Sequence, residues 1–244
     1  MFKDIKQVMK DSVLYGIGNV AVKLVGFILI PLYTDAEYFS TADYGLMGLL
    51  EVTSQILIAV MGLSLYSGLI RWYWDAEYRD KQKTIFFTTL LFTILTSLCI
   101  GSVLWLNVGE LSALLVQQEG YSLGGELPYI LQLLILTSML GAVVEVPQNL
   151  LRLQRKPIYY SLTNIVRLFV TLVLTIYFTI SLHRGVSGVY EAQLVGIVIQ
   201  LLMVLPLVIK NSSCRVDRRC TIQLLVYSYP LVFPAIVGSL LTVF

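Results

Sequence analysis

The sequence predicts an all-α, polytopic transmembrane helix bundle, and three observations predict it. Hydrophobic residues make up 57% of the 244-residue chain and charged residues only 13%. A water-soluble domain carries about 25% charged residues, because its surface must stay solvated. Mean hydropathy is +0.80. Finally, the apolar residues gather into seven long runs, each near the roughly 20 residues a helix needs to cross the hydrocarbon core. Seven such runs in one short chain leave no soluble protein for them to be the core of.

Taken in order, the runs cover residues 12–34, 44–70, 84–106, 127–151, 158–182, 186–209 and 222–244. Ahead of the first, Phe2, Ile5 and Met9 share a helical face bordered by Lys3, Lys6 and Lys10. That pattern suits a short helix lying on the membrane surface over residues 1–11. The first run is too long for the apolar region of a secretory signal, so it is expected to stay as a span. Residues 12–209 then form a six-helix lobe, 210–221 a basic loop, and 222–244 a seventh span that looks cut off.

Basic residues sort the loops into two sets. One set holds Lys3, Lys6 and Lys10; Arg71, Arg79, Lys81 and Lys83; Arg152, Arg155 and Lys156; and Lys210, Arg215, Arg218 and Arg219. The alternate loops, 35–43, 107–126 and 183–185, contain only Arg184. This fourteen-to-one bias puts the first set, and with it the N-terminus, in the cytoplasm. Trp72, Trp74, Tyr159 and Tyr160 at inner ends, and Tyr33, Tyr44, Trp105 and Tyr129 at outer ends, sit where amphipathic rings prefer the headgroup layer.

Five ionisable residues fall inside spans: Lys23, Glu51, Glu145, Arg167 and Glu191. Each costs at least about 2.5 kcal/mol at the bilayer centre if it faces lipid. At 1.5 Å per residue, Lys23 and Arg167 both lie roughly 14–17 Å from the inner end, near the midplane. Their neighbours at helical spacing are small or polar. Gly16, Asn19, Lys23 and Gly26 form one stripe; Tyr160, Asn164, Arg167, Thr171 and Thr175 form a second; Ser138, Gly141, Glu145, Gln148 and Arg152 form a third. Such stripes face a bundle interior or a wet cavity. Two readings stay open. Lys23–Glu51 and Arg167–Glu145 are interhelical ion pairs that fix packing, or Lys23 and Arg167, with Asn19 and Asn164, form a midplane site for an anionic substrate. In the second case Glu51 and Glu145 serve in ion pairing or coupling. Glu191 is shallow enough to be hydrated and reads as structural. Gly188, Ala192 and Gly196 make a small-residue ridge suited to close helix packing.

No catalytic constellation appears, so no enzyme activity, cofactor, metal or nucleic-acid partner is expected. His183 stands alone without a nucleophile beside it. Cys99, Cys214 and Cys220 are odd in number and show no disulfide or zinc spacing.

Several segments resemble a known family. SVLYGIGNVAVKLVGFILIPLYT leads into TADYGLMGLLEV, with Gly16, Lys23, Gly26, Pro31 and an Asp43-Tyr44-Gly45 turn. NLLRLQRKPIYYSLTNIVRL, GVSGVYEAQLVG and YSYPLVFPAIVGSLL, with Pro230 and Pro234, follow. Together they resemble bacterial polysaccharide transporters, the O-antigen flippase-like branch of the multidrug/oligosaccharidyl-lipid/polysaccharide (MOP) exporters. The resemblance implies the six-helix N-lobe of a two-lobe flippase plus the start of the seventh helix. It also implies a substrate of undecaprenyl-pyrophosphate-linked oligosaccharide type, moved to the outer leaflet of the bacterial inner membrane. Membrane lipid and other polysaccharide-assembly membrane proteins are the implied partners. A cation-coupled multidrug exporter, a lipid-II-type flippase, a membrane-embedded glycosyltransferase or polymerase, and a purely structural membrane partner are the alternatives. The first span carries Lys23 where multidrug exporters typically carry an acid, and the longest loop, 107–126, has no Arg, Lys or His, whereas glycosyl transfer normally needs a large polar loop with acidic and basic catalytic residues.

Overall fold

A computed structural model describes residues 27–35, 37–116, 125–213 and 215–241. The surface segment 1–11 and most of the first span, with Asn19 and Lys23, lie outside the described residues. So does Cys214.

Every regular element among the described residues is helical. Residues 27–33 form α1. They are followed by α2 (Thr41–Gly62), α3 (Leu65–Trp72), α4 (Gln82–Leu106), α5 (Val108–Val116) and α6 (Leu127–Leu153). The chain continues through α7 (Pro157–Ile176), α8 (Gly185–Asn211), α9 (Arg218–Ser228) and α10 (Val232–Leu241). Six stretches are long and apolar enough to cross a membrane: Thr41–Gly62, Tyr78–Leu106, Leu127–Leu153, Pro157–Ser181, Gly185–Asn211 and Arg218–Gly238. The chain is a membrane protein, and its large exposed side chains fit that solvent: Leu95, Leu98, Phe169, Leu202 and Ile209 face outward.

Local chemistry sets the helix ends. Ser40 Oγ accepts from the Asp43 amide at 3.1 Å while the Ser40 amide donates to the Asp43 carboxylate at 2.9 Å. This reciprocal cap satisfies donors that the first turn of α2 leaves open; Asp43-Tyr44-Gly45 is thus the first turn of a helix rather than a separate turn, and Asp43 caps it. Pro157 opens α7, where its missing N–H is no loss.

Two features were not legible as such. The run 44–70 is not one helix. It breaks between α2 and α3, where Leu63 and Ser64 both take left-handed backbone angles, with φ of 46° and 48°. Neither is glycine, so tertiary contacts hold a conformation that L-residues resist. Thr96 Oγ1 of α4 donates to the Met61 carbonyl at 2.7 Å, capping a carbonyl at the break. The loop 107–126 also contains the short helix α5, where the sequence suggested only a connection.

The bundle is organised around α6, the most buried span, which packs against α2, α4 and α8. Lipid supplies no hydrophobic drive between helices, so close van der Waals approach and polar contacts carry the packing. Gly141 of α6 lies under Ile58 of α2, and an added Cβ would come within 3.0 Å of Ile58 Cδ1. Ser54 and Ser138 hydrogen-bond across the same pair at 3.1 Å. On one side of the bundle core Leu50, Met61, Ile130, Leu134 and Tyr190 are buried together. On the other, Leu69, Ile85, Phe86, Leu150 and Leu151 are.

Candidate functional site

The second polar stripe lies along the contact between α7 and α8, and Arg167 is its centre. Its Nη1 donates to Gln200 Oε1 at 3.1 Å. Gln200 Nε2 donates in turn to Asn164 Oδ1 at 3.0 Å, and Asn164 Nδ2 donates to the Tyr160 carbonyl at 2.8 Å. Gln200 is 1% exposed, and both ends of its amide are used in this relay. The guanidinium is therefore anchored deep in the protein by a neutral group. A charged donor on an amide acceptor keeps its net positive charge.

Close helix approach makes the relay possible. A Cβ on Gly196 would lie 2.2 Å from Thr171 Oγ1 and 3.3 Å from the Arg167 carbonyl oxygen. A Cβ on Gly188 would meet Phe178 at 3.0 Å, and Ala192 between them is fully buried. The small-residue ridge thus seats α8 on α7 at the level of Arg167. Gln200 stands four residues past Gly196, which continues the ridge on the same face. That spacing was the available signal for Gln200, which the sequence reading passed over.

The acids take separate positions. Glu51 of α2 is exposed and accepts from Gln55 Nε2 at 3.4 Å. Glu145 of α6 forms no salt bridge with Arg167. Arg152 is engaged, with its guanidinium 4.5 Å over the Tyr160 ring and a hydrogen bond to the Tyr160 hydroxyl. Glu145 instead lines a cavity of about 500 Å³ with Gln55, Ile58, Ala59, Ser64, Tyr66, Ala235 and Gly238. Arg167 and Glu145 are thus in different surroundings, and the Lys23–Glu51 pairing lies outside the described residues. Glu191 accepts from Tyr129 at 2.8 Å and pairs with Arg184.

Comparison with solved structures gives this helix arrangement a context. The chain superposes on a MATE transporter in the straight conformation with a TM-score of 0.73 and 19% identity, covering 96% of this chain and 53% of that one. An outward-facing multidrug resistance MATE family transporter of the MOP superfamily gives 0.72 and 18%, over 96% of this chain and 52% of that one. The fold is similar to one half of a MOP-superfamily transporter. A MOP-superfamily transporter from Pyrococcus furiosus, described by the reverse polarity of its binding pocket, matches equally well, at 0.72 and 19%, over 96% of this chain and 52% of that one. The chain spans about half the length of these transporters. No family model matches the sequence, and no curated protein does.

Proposed function

We propose that this chain forms the first lobe of a transporter that moves a polyprenyl-pyrophosphate-linked oligosaccharide across the bacterial inner membrane, toward the outer leaflet. The observation that carries the reading is the anchoring of Arg167 by Gln200 and Asn164 rather than by a contacting acid. A diphosphate crossing the bilayer core meets a severe penalty for unpaired charge. A midplane guanidinium that keeps its charge offsets part of that penalty, and its planar fork suits phosphate oxygens. By residue count in the sequence, Lys23 of the first apolar run would supply a second cation at a similar depth. With two such cations the site would be basic, and the Pyrococcus furiosus transporter gives this fold a precedent for a pocket of reversed polarity. Alternating access would follow from rocking of one lobe against the other.

Gln200→Glu tests the reading in the transporter that contains this chain. The substitution is nearly isosteric and puts a carboxylate about 3 Å from the guanidinium, so the positive charge is neutralised while the anchor remains. Glutamate loses the Nε2 donor to Asn164 Oδ1, so the expected outcome is a folded protein of slightly lower stability whose polysaccharide export falls more than tenfold. Export unchanged in Gln200→Glu at matched protein level would remove the electrostatic role of Arg167. The second reading, a cation-coupled multidrug exporter, draws on Glu145 in its cavity. Efflux of cationic dyes without any loss of polysaccharide in a deletion strain would favour it.

A further inference from the structure

A second cavity, of about 600 Å³, opens between the residues that follow α3 and the turn joining α6 to α7. Trp74, Leu153, Gln154, Arg155 and Lys156 line it, and none of these is acidic. Gln154 fixes the walls. Its Nε2 donates to Tyr73 Oη at 3.2 Å and to Asn211 Oδ1 at 2.9 Å, while its Oε1 accepts from Lys156 Nζ at 2.8 Å. Neither Arg155 nor Lys156 forms an ion pair among the described residues. Two cations therefore line one cavity, held by a neutral amide and without a counter-charge. The backbone adds an independent observation. The Arg155 amide donates to the Arg152 carbonyl at 3.0 Å, and the Lys156 amide to the Leu151 carbonyl at 2.9 Å. This pair of bonds closes α6 with a Schellman motif, whose left-handed position is usually glycine. Here Arg155 takes it, with φ of 52°. Glycine adopts that conformation freely and an L-residue resists it. A cation at the helix C-terminus is favourable, but Arg152 already supplies one to the last turn. Local stability alone would select glycine, so the Arg155 side chain has a task that offsets the strain.

We propose that this cavity binds the phosphate headgroup of an anionic phospholipid from the surrounding bilayer. Depth supports a lipid. Trp74 is 62% exposed, and Ile158, two residues past Lys156, is 65% exposed. An exposed indole is favoured at the headgroup layer, and an exposed isoleucine among acyl chains. The cavity lies where the two meet. The Arg155 fork and the Lys156 point charge are matched to phosphodiester oxygens. Leu153 and the Trp74 ring offer apolar surface to the glycerol and the first methylenes. Charge then selects among lipids. A zwitterionic headgroup carries its own ammonium beside the phosphate, which two basic side chains repel, whereas phosphatidylglycerol carries none. Basic pockets between membrane helices recognise anionic headgroups on this ground. A lipid seated here ties the chain after α3 to the α6–α7 turn, alongside the Gln154 bonds. Lys156 lies about 16 Å along α7 from the level of Arg167, at 1.5 Å per residue. The lipid is therefore a resident ligand, whatever cargo the transporter carries.

Thermal unfolding of the protein that contains this chain, in a neutral detergent at fixed pH and ionic strength, tests this. Dioleoyl phosphatidylglycerol, dioleoyl phosphatidylcholine or inorganic phosphate is added in separate titrations. Wild type is expected to show a saturable rise in melting temperature with phosphatidylglycerol and none with the other two. Arg155→Gly removes the charge and relieves the left-handed strain together. It should melt at or above the wild-type temperature without lipid, yet need about fivefold more phosphatidylglycerol for the same rise. Adding Lys156→Gln should make that shift more than tenfold, and Arg155→Lys, which keeps the charge, should restore most of the response. A cap with no ligand would not separate lipid-free stability from lipid response in this way. An unchanged phosphatidylglycerol response in the double variant would overturn the site, as would an equal response of wild type to phosphatidylcholine. A matching rise with inorganic phosphate alone would assign the cavity to a free anion and overturn the lipid. Should Arg155→Gly fail to fold, Arg155→Gln carries the same comparison. No polysaccharide or lipid-linked sugar enters these measurements, so their failure leaves the export reading standing.

Discussion

Gly196 matters because of what it lets its neighbours do. With no Cβ, it allows Thr171 and the Arg167 backbone to approach α8, and that approach brings Gln200 Oε1 within 3.1 Å of the guanidinium. Gly196→Ala would place a methyl 2.2 Å from Thr171 Oγ1, so the two helices must shift apart. Overpacking of this kind costs about 1–3 kcal/mol. The expected result is a lower melting temperature in detergent and a weakened Arg167–Gln200 bond. Thr171→Ala removes the clashing oxygen, so the double variant should recover most of the loss, and a double-mutant cycle should return a coupling above about 0.5 kcal/mol. Purely additive effects would show that the contact does not govern the relay. At this scale the sequence was informative where spacing carried the signal. The stripe Asn164, Arg167, Thr171 and the ridge Gly188, Ala192, Gly196 could each be read from residues three or four apart. That the two meet each other, with Gln200 as the bridge, is a tertiary fact that one-helix periodicity does not contain.

At the scale of elements, the broken second span departs most from a hydropathy reading. Residues 44–70 are uniformly apolar enough to pass as one helix, and no proline interrupts them. The break falls on Leu63 and Ser64, residues with no local preference for left-handed angles, so packing across the bundle must impose it. Two contacts identify that packing. Gly68 of α3 lies so close to α9 that an added Cβ would meet Leu224 Cδ2 at 2.6 Å, and Thr96 of α4 donates to the Met61 carbonyl just before the break. Such long-range causes leave no mark in a sliding window. The Thr96 bond gives a direct test. Thr96→Val keeps the side-chain shape but removes the donor, leaving a carbonyl at membrane depth without it. Polar contacts between membrane helices contribute about 0.6 kcal/mol on average and up to about 1.7. The Phe92 and Thr93 carbonyls are alternative acceptors within reach of the single Thr96 hydroxyl proton, and they keep their helical partners without it. Thr96→Val should therefore destabilise by about 1 kcal/mol in reversible unfolding, and it should raise protease sensitivity around Gly62–Leu65. A neutral effect on both would mean that the break stands without this bond.

For the molecule as a whole, the spans and their order were largely legible, because the bilayer forces every crossing into a long apolar helix. Their grouping into one half of a two-lobe transporter fold followed from short motif resemblances, and superposition on solved structures at 18–19% identity bears out that half-lobe fold. The structure adds a constraint that counting charges cannot: it shows which loops share an end. Gln154 Nε2, after α6, bonds Tyr73 Oη at 3.2 Å and Asn211 Oδ1 at 2.9 Å. Lys81 pairs with Asp217 at 2.8 Å, and Thr84 meets Ser213 at 3.2 Å. These contacts tie the three loops rich in Arg and Lys to one end of the bundle. At the other end Tyr129, Glu191 and Arg184 are joined, and Tyr38 stacks on His183 at 6.4 Å. α4 separates the two ends by about 37 Å at 1.5 Å per residue, enough to span the bilayer. The bundle therefore has two opposite orientations available, and the basic end is expected to face the cytoplasm. The test uses a chain whose Cys99, Cys214 and Cys220 are replaced by serine. Single cysteines then go in at Asp80, on the basic end, and at Glu126, on the other; both positions are exposed and neither removes a basic residue. An impermeant maleimide added to intact cells should label Glu126→Cys and spare Asp80→Cys until the membrane is opened. Labelling of Asp80→Cys in intact cells would invert the topology. Under the proposed export reading, it would also place the Arg- and Lys-rich loops on the releasing rather than the loading side.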